Sequence, residues 1–260
     1  MVAYDAYEYI TVEVADGVAE IVLNRPAKYN ALNTETMFDL RRVFDELQLD
    51  REVDVVVLTG EGEDAFSAGA DIEQYAGPAD DHDPLQKDRQ DMFYEMYQQV
   101  YGLHAPVIAK INGYCVGGGL ILAMACDLRY AVEDAQFGVP TCDIGQIPGG
   151  GSTYRAIELV GEAKAKEIVY TAGMIDGEEA HRIGLVNDIH PAGTLDDAVA
   201  EVVAAIQDTG RMAVKNSKRA LNHSATVSDR DTAREREAEL WWEQFATEER
   251  RRLVDAFNES

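Results

Sequence analysis

Residues Pro106–Pro148 read PVIAKINGYCVGGGLILAMACDLRYAVEDAQFGVPTCDIGQIP, and the order of residue types within them decides the fold. Val107–Ile111 is a short apolar run of the kind that fills a buried strand. It feeds Asn112–Gly119, NGYCVGGG, a bend rich in glycine. Leu120–Ala125 then opens a helix buried behind Gly117–Gly119, and Asp127–Val132 is the next strand candidate. Some fifty residues upstream, a second apolar run, Val53–Leu58, ends at a similar bend, AFSAGAD (Ala65–Asp71). Both bends offer backbone N–H groups that no bulky side chain hinders. Two such groups on different loops can converge on one oxygen that gains negative charge, which is the requirement for an oxyanion hole.

Working outward, Ile10, Val12 and Val14 alternate up to Asp16-Gly17, and Val18–Leu23 returns, which predicts a β-hairpin with a tight turn. Thr34–Leu49 carries a helical apolar stripe of Met37, Leu40, Val43, Phe44 and Leu47. Gly77–Pro84, GPADDHDP, reads as an acidic, turn-rich loop, and Gln86–Leu103 as a helix. From about Gly149 the chain is expected to be almost wholly helical, with breaks near Gly161, Gly173, Gly184 and Gly193. Repeated strand–strand–helix units before a helical tail predict an α/β spiral core over 1–195 and a helical region over 196–260. No internal sequence repeat is evident.

The net charge is −25, and only seven of the 23 basic residues are lysine. An acidic, lysine-poor surface is expected of a halophilic protein, kept soluble where concentrated salt screens self-repulsion; the alternative is a surface that recruits a basic partner. Nucleic acid is disfavoured, since its phosphates would be repelled overall. Cys115, Cys126 and Cys142 lack CxxC spacing and read as small buried packing residues. With no signal peptide and no apolar run of about 18 residues, the expectation is a cytoplasmic protein that does not engage a membrane.

Other uses of these residue types fit less well. Gly117-x-Gly119 lacks the third glycine of a dinucleotide fingerprint, Leu122 standing in its place, and no GK[ST] follows. Taken alone, the glycines also suit tight helix–strand packing. Gly149-Gly150-Gly151-Ser152 is not a nucleophile elbow. The five histidines, His82, His104, His181, His190 and His223, show no metal spacing and read as surface or capping residues, His104 before Pro106 being the one to watch. Asp127, after the predicted helix, reads as a structural carboxylate.

NRPAKYNAL (Asn24–Leu32), AFSAGADI (Ala65–Ile72) and the segment from Pro106 to Pro148 together resemble the crotonase superfamily, the enoyl-CoA hydratase/isomerase family, in order and spacing over nearly the whole chain. The resemblance implies a crotonase-type spiral with a C-terminal helical region. It implies that the N–H groups of Ala70 and Gly118 form an oxyanion hole for the thioester carbonyl of an acyl-CoA. It further implies coenzyme A and substrate contacts at Ala27, Lys28, Ala31, Ala68, Ala70, Asp71, Ile72, Gly117, Gly118, Ile121, Pro140 and Thr141. Arg25 and Lys28 are the local cations for the phosphates, whereas Glu73 stands where relatives often carry lysine. Coenzyme A enters as part of the substrate; no separate cofactor and no metal are implied. A homotrimer or dimer of trimers is implied, with residues 196–260 carrying subunit contacts through groups such as Trp241, Phe245, Leu253 and Phe257, which intrachain packing explains equally well.

One departure matters most. Hydratases of this family use two glutamates for proton transfer, and at the corresponding positions this chain has Ile121 and Thr141. An alkyl group has no labile proton and a threonine hydroxyl is far too weak an acid. Three readings follow. Asp143, two residues beyond Thr141, replaces the acid/base pair in a hydratase/isomerase-like enzyme, its alternative being a solvated or capping loop carboxylate. Or the chain is a decarboxylase or carbon–carbon lyase, which needs mainly the oxyanion hole and a proton donor. Or it binds acyl-CoA without turnover.

Overall fold

The computed structural model describes residues 4, 7–75 and 84–259, without the side chains of residues 75 and 84–89. The hairpin forms where alternation predicts it: β1 (Ile10–Ala15) and β2 (Val18–Leu23) pair antiparallel from Ile10↔Leu23 to Ala15↔Val18. Asn33 caps α1 (Thr34–Leu49), its side-chain oxygen accepting the Thr36 N–H at 2.8 Å. Met37, Leu40, Val43, Phe44 and Leu47 are buried along one face of that helix.

The chain then winds in units of two strands and a helical segment. β3 (Val55–Gly60) and β4 (Ala65–Ser67) lead to α2 (Ile72–Tyr75) and α3 (Pro84–Gly102). β5 (Val107–Ile111) and β6 (Tyr114–Val116) lead to α4 (Gly118–Ala125). β7 (Leu128–Val132) and β8 (Gln136–Gly138) lead, through a 3₁₀ turn at Pro140–Ile144, to α5 (Ser152–Val160) and α6 (Glu162–Thr171). Two short strands, β9 (Ile175–Asp176) and β10 (Asp188–His190), flank α7 (Gly177–Arg182). The first strand of each unit joins a six-stranded sheet of order β1-β2-β3-β5-β7-β10, and the second a four-stranded sheet of order β4-β6-β8-β9. Neighbours from β2 to β10 in the large sheet run parallel, as do β4, β6 and β8 in the small one. Both glycine bends therefore open at the C-terminal ends of parallel strands, where open α/β sheets leave room for ligands.

Several expectations are corrected. The chain beyond Gly149 is not wholly helical, because β9 and β10 interrupt it; strands of two and three residues are too short to carry an alternation signal. Cys115 and Cys126 are buried, but Cys142 is exposed, because it sits on the 3₁₀ turn at the surface. His104 is buried rather than superficial: its backbone N–H bonds Gln48 Oε1 at 3.0 Å, which draws the α3–β5 connection onto the end of α1. His82 and the acidic loop expected at 77–84 fall outside the described residues apart from Pro84, which begins α3.

The last helices are α8 (Leu195–Gln207), α9 (Arg211–Thr226), α10 (Arg230–Phe245) and α11 (Glu248–Glu259). α8 packs across β3, β5, β7 and β10, while α9 and α10 form an antiparallel-type pair joined by a short loop. Trp241, Phe245, Leu253 and Phe257 are exposed on this chain.

α9 buries two lysines at the N-terminal ends of the parallel strands. Lys215 Nζ donates to the Val53 carbonyl at 2.7 Å, and Lys218 Nζ to the Ala105 carbonyl at 2.9 Å. Lys218 also pairs with Asp127 Oδ2 at 2.7 Å, and Asp127 accepts the Val107 N–H at 2.7 Å. Asp127 is thus a structural carboxylate joining β5 to α9. Removing Lys218 leaves the Ala105 carbonyl without its side-chain donor and the largely buried Asp127 carboxylate without its counter-charge. Lys218→Met is expected to cost about 3–5 kcal/mol in urea unfolding, whereas Lys166→Met, which breaks only an exposed pair with Glu162, leaves the midpoint essentially unmoved.

Candidate active site

The site is built from backbone. In the bend after β4, Ser67 Oγ donates to the Asn30 carbonyl at 2.8 Å and accepts the Gly69 N–H at 3.1 Å. The Ala68 N–H bonds the Tyr29 carbonyl at 2.8 Å. Leu32 and Ala70 form a parallel bridge, in which the Leu32 N–H bonds the Gly69 carbonyl at 2.7 Å and the Asp71 N–H bonds the Leu32 carbonyl at 3.0 Å. The amides of residues 68, 69 and 71 are all occupied. Among the described residues, that of Ala70 has no acceptor, since the bridge turns it to the opposite side.

The second bend repeats the arrangement. The Gly117 N–H bonds the Gly138 carbonyl at 2.9 Å, tying β6 to β8, and the Ile121 N–H closes the first turn of α4 onto the Gly117 carbonyl at 3.0 Å. Gly118 is the first residue of α4, and its N–H likewise has no acceptor among the described residues. It lies at the positive end of the helix dipole. The two free amides are neighbours: a Cβ built on Gly118 would lie 3.2 Å from the Ala70 nitrogen, and one built on Gly69 would lie 2.8 Å from the Gly118 nitrogen and 2.6 Å from the Val116 oxygen. Gly69 has φ of +90°. Only glycine combines that backbone with so close an approach.

Side chains close the space around the amides. Phe93 is buried, with its ring edge 3.1 Å from a Cβ placed on Gly118. Ile121 is buried on α4 and packs towards Gly150, whose added Cβ would meet Ile121 Cγ2 at 3.2 Å. Pro140 and Thr141 are half-buried on the 3₁₀ turn, and Thr141 Oγ1 is shielded from solvent with no hydrogen-bond partner among the described residues. Asp143 lies on the same turn, exposed.

The Asn24–Leu32 loop is held by its own polar groups. Arg25 Nη1 donates to the Ala31 carbonyl at 2.6 Å, and Nη2 pairs with Asp71 Oδ2 at 2.8 Å, both side chains being largely buried. Arg25 therefore ties this loop to the AFSAGAD bend and has donors committed before any phosphate arrives. Lys28 pairs with Glu73 at 2.6 Å, and that carboxylate holds its pKa above the ordinary lysine value. Ala27, Ala68 and Ile72 are exposed, Ala31 and Asp71 buried, and Gly117 half-buried.

Sequence reading did not find Asn30. Tyr29 and Asn30 both take left-handed backbone, φ 50° and 54°, and Asn30 is fully buried. Its Nδ2 donates to the Ala65 and Glu61 carbonyls at 2.7 and 3.0 Å, while its Oδ1 accepts the Arg25 N–H at 3.0 Å. The available signal was an asparagine four residues after Pro26 in a loop between strand and helix, since asparagine tolerates this backbone better than other side chains.

Comparison with known proteins decides the family. The model for enoyl-CoA hydratase/isomerase matches residues 13–260. The chain belongs to this family, within the crotonase superfamily. It is 37% identical over 251 residues to the short-chain-enoyl-CoA hydratase of Clostridium acetobutylicum, covering 96% of this chain and 94% of that protein. It is 36% identical over 258 residues to the crotonyl-CoA hydratase of Syntrophomonas wolfei, covering 98% and 96%. Among solved structures, enoyl-CoA hydratase from Bacillus anthracis superimposes with a TM-score of 0.92 at 34% identity over 97% of this chain and 96% of that one. The crotonase fold expected from the motifs is thus the fold observed.

Within this enoyl-CoA hydratase/isomerase relative, Asn30 is the staple of the first loop. Asn30→Ala removes all three side-chain bonds and leaves a β-carbon residue with no local hydrogen bond in left-handed backbone. The expected loss is about 2–4 kcal/mol, read from the urea midpoint, and an unchanged midpoint would show that the loop is held by Arg25 alone.

Proposed function

We propose that this chain binds an acyl-CoA thioester with its carbonyl oxygen between the Ala70 and Gly118 N–H groups, and turns it over through an enolate. The observation that carries this reading is the pair of acceptor-free amides, brought together from two loops at the start of a buried helix. Donors fixed in place before reaction stabilise developing charge without the cost of reorganising solvent. The activity named for the similar proteins, hydration of short-chain 2-enoyl thioesters, supports the same substrate class.

In hydration, the oxygen of water adds at Cβ, the Cα–Cβ π electrons move onto the thioester carbonyl as an enolate, and Cα takes a proton as the enolate collapses. The two amides serve the enolate oxygen. The protons need a separate carrier, and Ile121 and Thr141 are unsuited to that work. Asp143 is our candidate: it lies two residues beyond Thr141 on a turn beside the site, and its exposure gives it access to exchange a proton with solvent. Arg25, through Asp71, positions the loop expected to meet the pantetheine and adenine, and Lys28 is the surface cation for a phosphate once released from Glu73. A trimeric assembly through the exposed aromatic groups of α10 and α11 is part of the same proposal, as is adaptation of the acidic surface to concentrated salt.

The unpartnered hydroxyl of Thr141 favours a second reading. A buried donor with no acceptor suits a polar group on the substrate, and beside apolar Ile121 a substrate carboxylate would be poorly solvated. Loss of CO₂ from a malonyl-type thioester leaves its bonding electrons on the same enolate, which then needs one proton at Cα. Binding without turnover is the third possibility.

Mass spectrometry of the protein incubated with crotonyl-, 3-hydroxybutyryl- and malonyl-CoA separates these. Hydration is expected to be slow and further reduced in Asp143→Asn, and a folded Gly118→Pro variant, which lacks one donor, to lose about 10²–10³ in turnover. Malonyl-CoA consumption with crotonyl-CoA untouched selects decarboxylation. Binding of all three without product selects the non-catalytic reading, and turnover retained in folded Gly118→Pro removes the amide pair from the mechanism.

A further inference from the structure

A cleft of about 730 Å³ lies at the opposite ends of β3 and β5 from the glycine bends. A six-residue strand separates the two places by roughly 20 Å. Arg51 at the end of α1, His104 between α3 and β5, and Arg211, Lys215, Asn216 and Arg219 on α9 supply its polar groups. Four cations face one lining carboxylate, Glu52. In a chain with 48 acidic and 23 basic residues, that local balance is inverted.

The cations are only partly satisfied from within. Arg211 is committed, pairing with Asp54 and, at 3.6 Å, with Glu52, and donating to the Arg51 carbonyl, while Lys215 Nζ, bonded to the Val53 carbonyl, is 3.9 Å from Asp54. Arg219 Nη1 lies 2.9 Å from Asn216 Oδ1 and 3.3 Å from Glu243. Arg51 has no carboxylate partner among the described residues. The second observation is His104, which is 8% exposed, lines the cleft, and has both ring nitrogens buried without a well-formed hydrogen bond. Burial first, then the neighbouring Lys215 and Arg51 charges, depress its pKa to about 4, against a weak approach to the Asp50 backbone that raises it. The ring is neutral at ordinary pH and keeps one N–H to donate.

We propose that this cleft is a second ligand site, for a small polyanion of the phosphate class, separate from the oxyanion pair. Planar guanidinium forks on Arg51 and Arg219 match phosphate oxygens two at a time, and Arg211, held by Asp54 and the Arg51 carbonyl, adds positive charge behind them. Lys215, buried and bonded to the Val53 carbonyl, adds a fixed charge at the floor, and His104 offers a neutral donor that settles orientation. The bound anion supplies the acceptor that His104 and Arg51 lack.

The test is calorimetric titration with inorganic pyrophosphate, at a salt concentration where circular dichroism shows the chain folded, with adenosine 3′,5′-bisphosphate as a second probe for a nucleotide source. Saturable pyrophosphate binding is expected, weakened about tenfold to hundredfold by Arg51→Gln and by Arg219→Gln, since each removes a charged donor. Arg51→Lys, which keeps the charge and loses the fork, should fall between wild type and Arg51→Gln. The His104 ring resonances should shift on titration, and Lys28→Ala, which alters the expected coenzyme A contact and not this cleft, should leave the pyrophosphate affinity unchanged. Tighter binding of the bisphosphate at the same arginines identifies a nucleotide as the source, and tighter pyrophosphate a free phosphate. No saturable binding, affinity unchanged in the Arg51→Gln/Arg219→Gln double variant, or affinity lost in Lys28→Ala overturns the proposal.

Discussion

The molecule depends on one close approach of backbone to backbone. The bend after β4 and the bend after β6 meet at Gly69, Gly118 and Gly119 with no side chain between them. A methyl group on Gly69 would stand 2.6 Å from the Val116 carbonyl, and one on Gly119 would stand 2.7 Å from Ser67 Cβ. Neither distance is tolerable, and both obstructions are rigid parts of the neighbouring strands. This contact lies within the four-stranded sheet and fixes how closely the ends of β4 and β6 approach, where α4 begins, and the relation of the two free amides.

The amides are free because everything around them is bound. Ser67, Asn30 and the Leu32–Ala70 bridge consume the hydrogen-bonding capacity on either side, which leaves one donor in the first bend. The geometry of a helix start leaves the other. The function proposed for this site therefore rests on groups that exist in every residue and become useful only by placement. The price is a loop that depends on a few buried side chains far from the reacting atoms, above all Asn30 and the Arg25–Asp71 pair. At the other end of the same strands, Lys215 and Lys218 hold the carbonyls before β3 and β5, and the surplus of positive charge there forms the second cleft.

The sequence made some of this plain and hid the rest for physical reasons. α1 was legible to the residue because its apolar stripe runs over about four turns, and β5 because a short apolar run stands between Pro106 and a glycine bend. The glycine bends were legible because several glycines following strands have few other uses. β4, β6, β8, β9 and β10 were not, since two or three residues cannot display a period. His104 was read as a surface or capping residue, and nothing in the sequence singled out Lys215 or Lys218; their burial depends on carbonyls before the strands and on helix ends that meet only in the fold. Asn30 was passed over for the same reason, its three partners lying up to 35 positions away. The replacement of two proton-transfer positions by Ile121 and Thr141 could be read from the motifs, but no periodicity or spacing says which group moves the proton.

The central claim is that the Ala70 and Gly118 amides polarise a thioester carbonyl. Isotope-edited difference infrared spectroscopy of an acyl-CoA labelled with ¹³C at that carbonyl tests it most directly, because the stretch reports bond polarisation whether or not turnover follows. The carbonyl band of the bound thioester should move to lower frequency than in water on the unaltered protein, and that shift should be lost on a folded Gly118→Pro variant that still binds the ligand. A bound carbonyl at its solution frequency, or the same shift in both proteins, would contradict the assignment.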